Sequence, residues 1–251
     1  TVYPFCSISL IIISNFSNPV IKHLSFFSLY YIIELYISWC RTYIKRMYRG
    51  TVGQVPHKGD LFMNYTEELV KLADQLLTGV NMDEVLAMAQ AILDAKRIYV
   101  AGWGRAGNNV KMLSMDCSQI GLHTHIVGDN STPSIHEGDI LVIGSGSGKT
   151  ASMQLFAKQA KSHGAKIGLI VGAKQSPIEE MADVTVHIVD DSNTNGSYRA
   201  TKGIMTEAER LVHADAFYPV MQTVCDFIRA VCAEKLGVTP EDMAYNHNNI
   251  E

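Results

Sequence analysis

Ser145, Ser147 and Thr150 bring three hydroxyls into the six residues of Ser145-Gly-Ser-Gly-Lys-Thr150, with Gly146 and Gly148 between them. The glycines allow a tight turn, and the helix predicted to begin near Lys149 offers free N–H groups and the positive end of its dipole. Hydroxyls and uncovered N–H groups at a helix start make a pocket for a phosphate. An NTP-binding loop is the obvious rival, because Gly148-Lys149-Thr150 resembles its last three residues. The spacing rules against it: the first glycine of G-x-x-x-x-G-K-[ST] falls on Ile143. The turn is therefore expected to hold the phosphate of a small molecule rather than ATP.

A second glycine turn, Gly102-Trp-Gly-Arg-Ala-Gly107, matches G-x-G-x-x-G, and Asp129 follows the next predicted strand. A nicotinamide dehydrogenase would use both features, but Asp129 comes late and a dinucleotide leaves the hydroxyl-rich turn unexplained. The loop Asp129-Asn-Ser-Thr-Pro-Ser134 adds further hydroxyls. In a doubly wound sheet all three loops are expected at the carboxyl ends of strands, facing one crevice. Polar loops converging there favour a phosphorylated sugar.

The elements that must position these turns alternate. Helices are predicted at 65–77, capped by Asn81 or Asp83 at 82–96, at 108–120 and at 150–163. Apolar strands are predicted at 97–102, 123–127, 139–144, 166–171 and 184–189, with a short helix at 177–181. Residues 190–203 read as a loop, 206–236 as a helix broken or kinked at Pro219, and a short helix follows Pro240. Strands that are apolar throughout, separated by helices, predict a three-layer α/β/α sandwich around a five-stranded parallel sheet.

The chain has 251 residues, a net charge of −4 and 47% apolar residues, which points to a packed core and gives no reason to expect a nucleic-acid partner. Residues 1–62 differ from the rest, with six Lys/Arg against only Glu34 and Asp60. Leu24 to Cys40 is almost unbroken apolar sequence followed by Arg41, Lys45, Arg46 and Arg49, so membrane contact is expected only if 24–40 is a real spanning segment. It is seventeen residues long with Glu34 mid-run, and Met63 opens a clean amphipathic pattern. Residues 1–62 are thus expected to be an extension outside the working domain, 63–251. Five cysteines form no C-x-x-C pair, which suits buried free thiols and a reducing cytoplasm.

Gly102-Trp-Gly-Arg-Ala-Gly107, Val127-Gly-Asp-Asn-Ser-Thr-Pro133, the 145–150 turn and the tail His247-Asn-Asn-Ile-Glu251 together resemble a SIS (sugar isomerase) domain, with a flavodoxin-like sheet. Within that superfamily the tail resembles the 6-phospho-3-hexuloisomerase branch. The resemblance runs from about 64 to 251 and takes in Glu137-Gly-Asp139 and Glu241-Asp-Met243. It implies an isomerase of 3-hexulose 6-phosphate and fructose 6-phosphate that needs no metal or other cofactor. It also implies a homo-oligomer, tetramer or dimer, with sites between subunits.

Carried over residue by residue, Ser145, Ser147 and Thr150 would grip the phosphate with N–H groups of Gly146, Ser147, Gly148, Lys149 and Thr150. Gly104 and Arg105 would line the sugar, and His247 would assist ring or proton chemistry. Two positions depart from the family. Ala106 stands where a serine is common, and Tyr218 stands where the likely catalytic glutamate is expected. Tyrosine, with an ordinary pKa near 10, is a poor base at neutral pH; Glu207, Glu209, His213 and Asp215 are nearby substitutes. Lys149 stands at a position often acidic in relatives, and its extra positive charge would tolerate a more anionic ligand. A non-catalytic module that binds or senses a sugar phosphate is the alternative reading.

Overall fold

The computed structural model describes residues 59–189 and 207–250, and side chains over 65–189 and 215–250. The expected span at 24–40, the loop at 190–203 and the side chains of Glu207, Glu209 and His213 lie outside these limits. Helix α1 (Gly59–Thr78) and α2 (Met82–Leu93) precede β1 (Ile98–Gly102), α3 (Gly104–Gln119) and β2 (Thr124–Ile126). Then come β3 (Ile140–Ser145), α4 (Ala151–Ser162), β4 (Lys166–Val171), a 3-10 turn (Glu179–Met181) and β5 (Val184–His187). Helix α5 (Glu207–Leu236) and the short α6 (Pro240–Asn246) close the described chain. The expected boundary between 62 and 63 falls inside α1. Asn81 caps α2, its side chain accepting the Asp83 N–H at 2.9 Å.

The five strands form one parallel sheet in the order β2-β1-β3-β4-β5. Residues of β1 and β3 are buried almost throughout, as a sheet covered on both faces requires. Alternate residues serve opposite faces. Ile98, Val100, Ile140 and Val142 pack with α1, α2, α3 and α5, while Tyr99, Ala101, Leu141 and Ile143 pack with Met153, Ala157 and Ala160 of α4. Arg97 pins the amino ends of β1 and β3 together. Its Nε and Nη2 donate to the two oxygens of buried Asp139, at 3.1 and 2.8 Å.

The chain leaves β1 toward β2 on one side and reaches β3 on the other, so the switch point lies between β1 and β3. Gly102 pairs in register with Gly144 there, which sets the two glycine turns side by side at the same level. Gly102 and Gly107 also let α3 close onto β1. A Cβ on Gly107 would fall 2.3 Å from the Gly102 carbonyl oxygen. Gly107→Ala is therefore expected to push α3 off the strand and cost about 2–3 kcal/mol, read as a lower urea midpoint with unchanged slope.

Among the described residues no single helix is long and apolar enough to cross a membrane. The bent pair formed by α1 and α2 passes that test jointly, but Leu69, Leu76, Val85 and Met88 of the pair are buried in the core. Cys117, Cys225 and Cys232 are buried free thiols, and burial pushes each up from its ordinary value.

Candidate active site

The serine–glycine turn at 145–150 arrives already ordered by its own serines. Ser145, the last residue of β3, is buried, and its Oγ accepts the Gly148 N–H at 3.0 Å. Ser147 Oγ accepts the Lys149 N–H at 3.2 Å. A hydroxyl that accepts one N–H still has its own proton to donate, so both serines remain donors toward an anion. Thr150 is the N-cap of α4 and makes no side-chain cap bond, so its hydroxyl does not take up the first-turn N–H groups. Lys149 is exposed, and its carbonyl accepts from Gln154 Nε2 at 2.9 Å.

Gly148 has φ +61°, and a Cβ there would lie 2.1 Å from Ser176 Oγ. The turn thus rests directly on Ser176, which is fully buried. Ser176 is held in turn by Glu179: its N–H donates to Glu179 Oε2 at 3.1 Å, and its Oγ accepts the Glu179 N–H at 3.3 Å. Glu179 Oε1 meets His187 Nε2 at 2.8 Å, and the His187 Nδ1 faces Glu84 at 3.1 Å. Burial alone would raise the Glu179 carboxyl, but the Ser176 and His187 bonds outweigh it and hold the group below its usual value. Nothing in the spacing of Glu84, Ser176, Glu179 and His187 announces this support.

At the neighbouring turn, Gly104 (φ +58°) opens α3 with free space around it. Arg105 follows and is held firmly. Its Nη1 donates to Asp215 Oδ1 at 2.6 Å, and its guanidinium carbon lies 4.0 Å over the centre of the Tyr218 ring. The Tyr65 hydroxyl donates to the other Asp215 oxygen. Asp215 and Tyr218 are three residues apart on α5, so one helix face presents both. The structure therefore unites Gly104, Arg105, Tyr218 and Asp215 and adds Tyr65, which the sequence reading missed. Its only local signal is the amphipathic pattern of α1.

Burial would raise the Asp215 carboxyl, but the Tyr65 and Arg105 bonds more than offset it and hold it below the ordinary range. Asp215 consequently anchors Arg105 rather than supplying a base at neutral pH. A carboxyl lowered on folding contributes stability above its unfolded value, near 4, and loses it as pH falls through the folded one. Asp215→Asn should therefore flatten the acid limb of the stability curve, checked by urea midpoints from about pH 5 down to about pH 2.

Two expected contributors lie elsewhere. In the loop after β2, Thr132 Oγ1 donates to the Ile126 carbonyl at 2.5 Å and Ser134 Oγ meets His136 Nε2 at 2.8 Å, so these hydroxyls serve the loop itself. His247 is exposed just beyond α6, with Nδ1 at 3.0 Å from the Asn248 carbonyl. Asn246 Nδ2 donates to the Gln119 carbonyl at 3.2 Å, which ties the tail to the far end of α3 from Gly104.

This arrangement has known counterparts. A family model described as SIS domain matches residues 91–212. A Bacillus subtilis protein named 3-hexulose-6-phosphate isomerase is 32% identical over 197 residues, covering 75% of this chain and 100% of its own length. The chain belongs to the SIS domain family. A Mycobacterium gastri protein of the same name is 33% identical over 175 residues, covering 68% of this chain and 82% of its own. Among solved structures, a hypothetical protein from Methanococcus jannaschii, described with an inferred 3-hexulose-6-phosphate isomerase function, superposes with a TM-score of 0.58. It is 21% identical and the match covers 74% of this chain and 97% of that one, so it speaks for the fold. The parallel α/β/α architecture expected from the strand pattern is the one observed, and the relatives named here carry the name of a sugar-phosphate isomerase.

Proposed function

We propose that this SIS domain interconverts 3-hexulose 6-phosphate and fructose 6-phosphate. The observation that carries the reading is the pairing of Gly102 with Gly144, which sets a turn of hydroxyl and N–H donors beside a preset guanidinium. The phosphate binds across Ser145, Ser147 and Thr150 with the N–H groups of Gly146 to Thr150, and its binding energy holds the reacting carbons in place. Lys149 adds positive charge at the mouth.

The reaction moves a carbonyl between C3 and C2. A base removes the proton from C2, the electron pair forms the C2–C3 double bond of an enediol, and the C3 oxygen takes the developing negative charge. The C2 hydroxyl proton passes to the C3 oxygen, and return of the carbon-bound proton to C3 then leaves a carbonyl on C2 and a hydroxyl on C3. Arg105 and the Tyr218 hydroxyl supply the donors toward the enediolate oxygens, an electrostatic role that suits a fixed cation. His247, contributed by a second copy of the chain in a dimer or tetramer, takes and returns the carbon-bound proton; imidazole suits exchange in both directions near neutral pH. The working unit is 63–251, in the cytoplasm.

One observation favours a second reading, a binding module without turnover: Tyr218 stands where the resemblance expects a glutamate. A coupled assay for fructose 6-phosphate formation by the purified full chain, run beside thermal shifts with the same sugar, separates the two. Turnover that disappears in the double variant Ser145→Ala/Ser147→Ala supports the isomerase. Stabilisation without turnover supports the module, and stabilisation by NAD alone defeats both.

A further inference from the structure

Trp103 stands between Gly102 and Gly104, where the turn itself asks only for a residue in extended backbone, φ −117° and ψ 154°. Its side chain does not enter the core and is 64% exposed. It is nevertheless fixed, because the indole Nε1 donates to Ser152 Oγ at 2.7 Å. Ser152 belongs to the first turn of α4, directly after Thr150 and Ala151, so the indole reaches from the β1 turn to the helix that follows the phosphate turn. A large aromatic surface left in water, with its polar edge already satisfied, has a bare apolar face to offer. At Gly104, the next residue, nothing beyond its chain neighbours lies within 4 Å of where a side chain would begin.

We propose that Trp103 is a binding residue for the carbon chain of the ligand, a wall against which the C–H face of a phosphorylated sugar lies. The inference rests on the sugar-phosphate reading of the two turns and adds a residue that fixes specificity. The phosphate is held by the hydroxyls of 145–150 and carries no information about the length of the attached chain. Trp103 supplies that information, because a six-carbon chain reaching from the phosphate turn toward Arg105 passes the indole and a bare phosphate does not. The ligand class preferred is therefore a hexose or hexulose phosphate over inorganic phosphate, with the discrimination lodged in one side chain.

The chain has two tryptophans, so Trp39→Phe leaves Trp103 as the sole indole reporter. Full-length Trp39→Phe protein is titrated with fructose 6-phosphate and with inorganic phosphate, following fluorescence, and Trp103→Ala and Trp103→Phe are titrated by calorimetry. Fructose 6-phosphate should shift the Trp103 emission. Its affinity should fall by about tenfold in Trp103→Ala and recover most of that in Trp103→Phe. Affinity for inorganic phosphate should stay within about twofold throughout, a split that a merely structural role for Trp103 would not produce. Unchanged fructose 6-phosphate affinity in Trp103→Ala, with phosphate still bound, overturns the wall and leaves the phosphate turn standing. Equal losses for both ligands also overturn it. Failure of the wild-type chain to bind either ligand brings down the sugar-phosphate reading and the wall with it.

Discussion

Gly148→Ala should cut kcat/KM by about a hundredfold while leaving most of the protein folded. Two costs combine at this position. An L-residue in the left-handed region is disfavoured by about 1–2 kcal/mol, and Gly148 sits at φ +61°. The second cost is steric: the new methyl falls 2.1 Å from Ser176 Oγ and 2.3 Å from Ser176 Cβ. Ser176 has nowhere to go, since it is buried and its Oγ accepts from the Glu179 N–H. The turn must move instead, and with it the Gly148 N–H that Ser145 Oγ accepts. Displacing the phosphate donors by about an ångström is the kind of error that costs two orders of magnitude in rate. Gly237→Ala is the matched control. Gly237 has φ +66° with nothing within 4 Å, at the end of α5, so its substitution bears the backbone cost alone. Thermal midpoints of the two variants should differ modestly, and their activities widely. Activity of Gly148→Ala within about threefold of wild type would show that the turn's shape does not matter to the ligand.

Why that turn was legible beforehand, and the cluster beside it was not, follows from how each is encoded. Ser145 to Thr150 is one contiguous stretch, and its glycines, hydroxyls and following helix are local chemistry. The strands were legible for a similar reason: Lys166–Val171 is an apolar run whose expected and observed limits coincide. Helix α3 was expected at Asn108 and begins at Gly104, because Gly107 reads as a breaker until it is seen that only hydrogen fits against the Gly102 carbonyl. β2 is shorter than expected, three residues at the sheet edge with one neighbour. Pro219 is expected to break or kink the last helix; α5 is not broken there and runs from Glu207 to Leu236 with Pro219 inside it. Tyr65, Arg105, Asp215 and Tyr218 meet because α1 and α3 both dock on α5, across as many as 150 positions of sequence. No spacing rule connects them. The Glu84–His187–Glu179–Ser176 support is the same kind of object, assembled by the packing of α2 on β5.

His247→Ala and Gly148→Ala, each nearly inactive alone, should restore turnover when the two chains are co-expressed. The reason is geometric. Asn246, the residue before His247, is bonded to the Gln119 carbonyl at the carboxyl end of α3, while Gly104 opens the same helix at the glycine turns. At 1.5 Å per residue that separation is about 22 Å along the helix. An imidazole at one end cannot exchange a proton with a sugar bound at the other, so a catalytic His247 must serve the site of another copy. In a mixed oligomer, a protomer carrying His247→Ala still offers an intact phosphate turn. When its neighbour carries Gly148→Ala, that neighbour still offers the histidine. Random assembly then rebuilds about a quarter of the sites, so about a quarter of wild-type turnover should return, with neither variant alone contributing. The single substitution His247→Ala should lower kcat by about a hundredfold or more, the usual contribution of a positioned acid–base group. Recovery in the mixture, measured against each variant expressed alone, distinguishes a shared site from a self-contained one. Absence of recovery, with mixed oligomers demonstrated by mass, would place the proton transfer on a residue of the same chain and remove His247 from the mechanism.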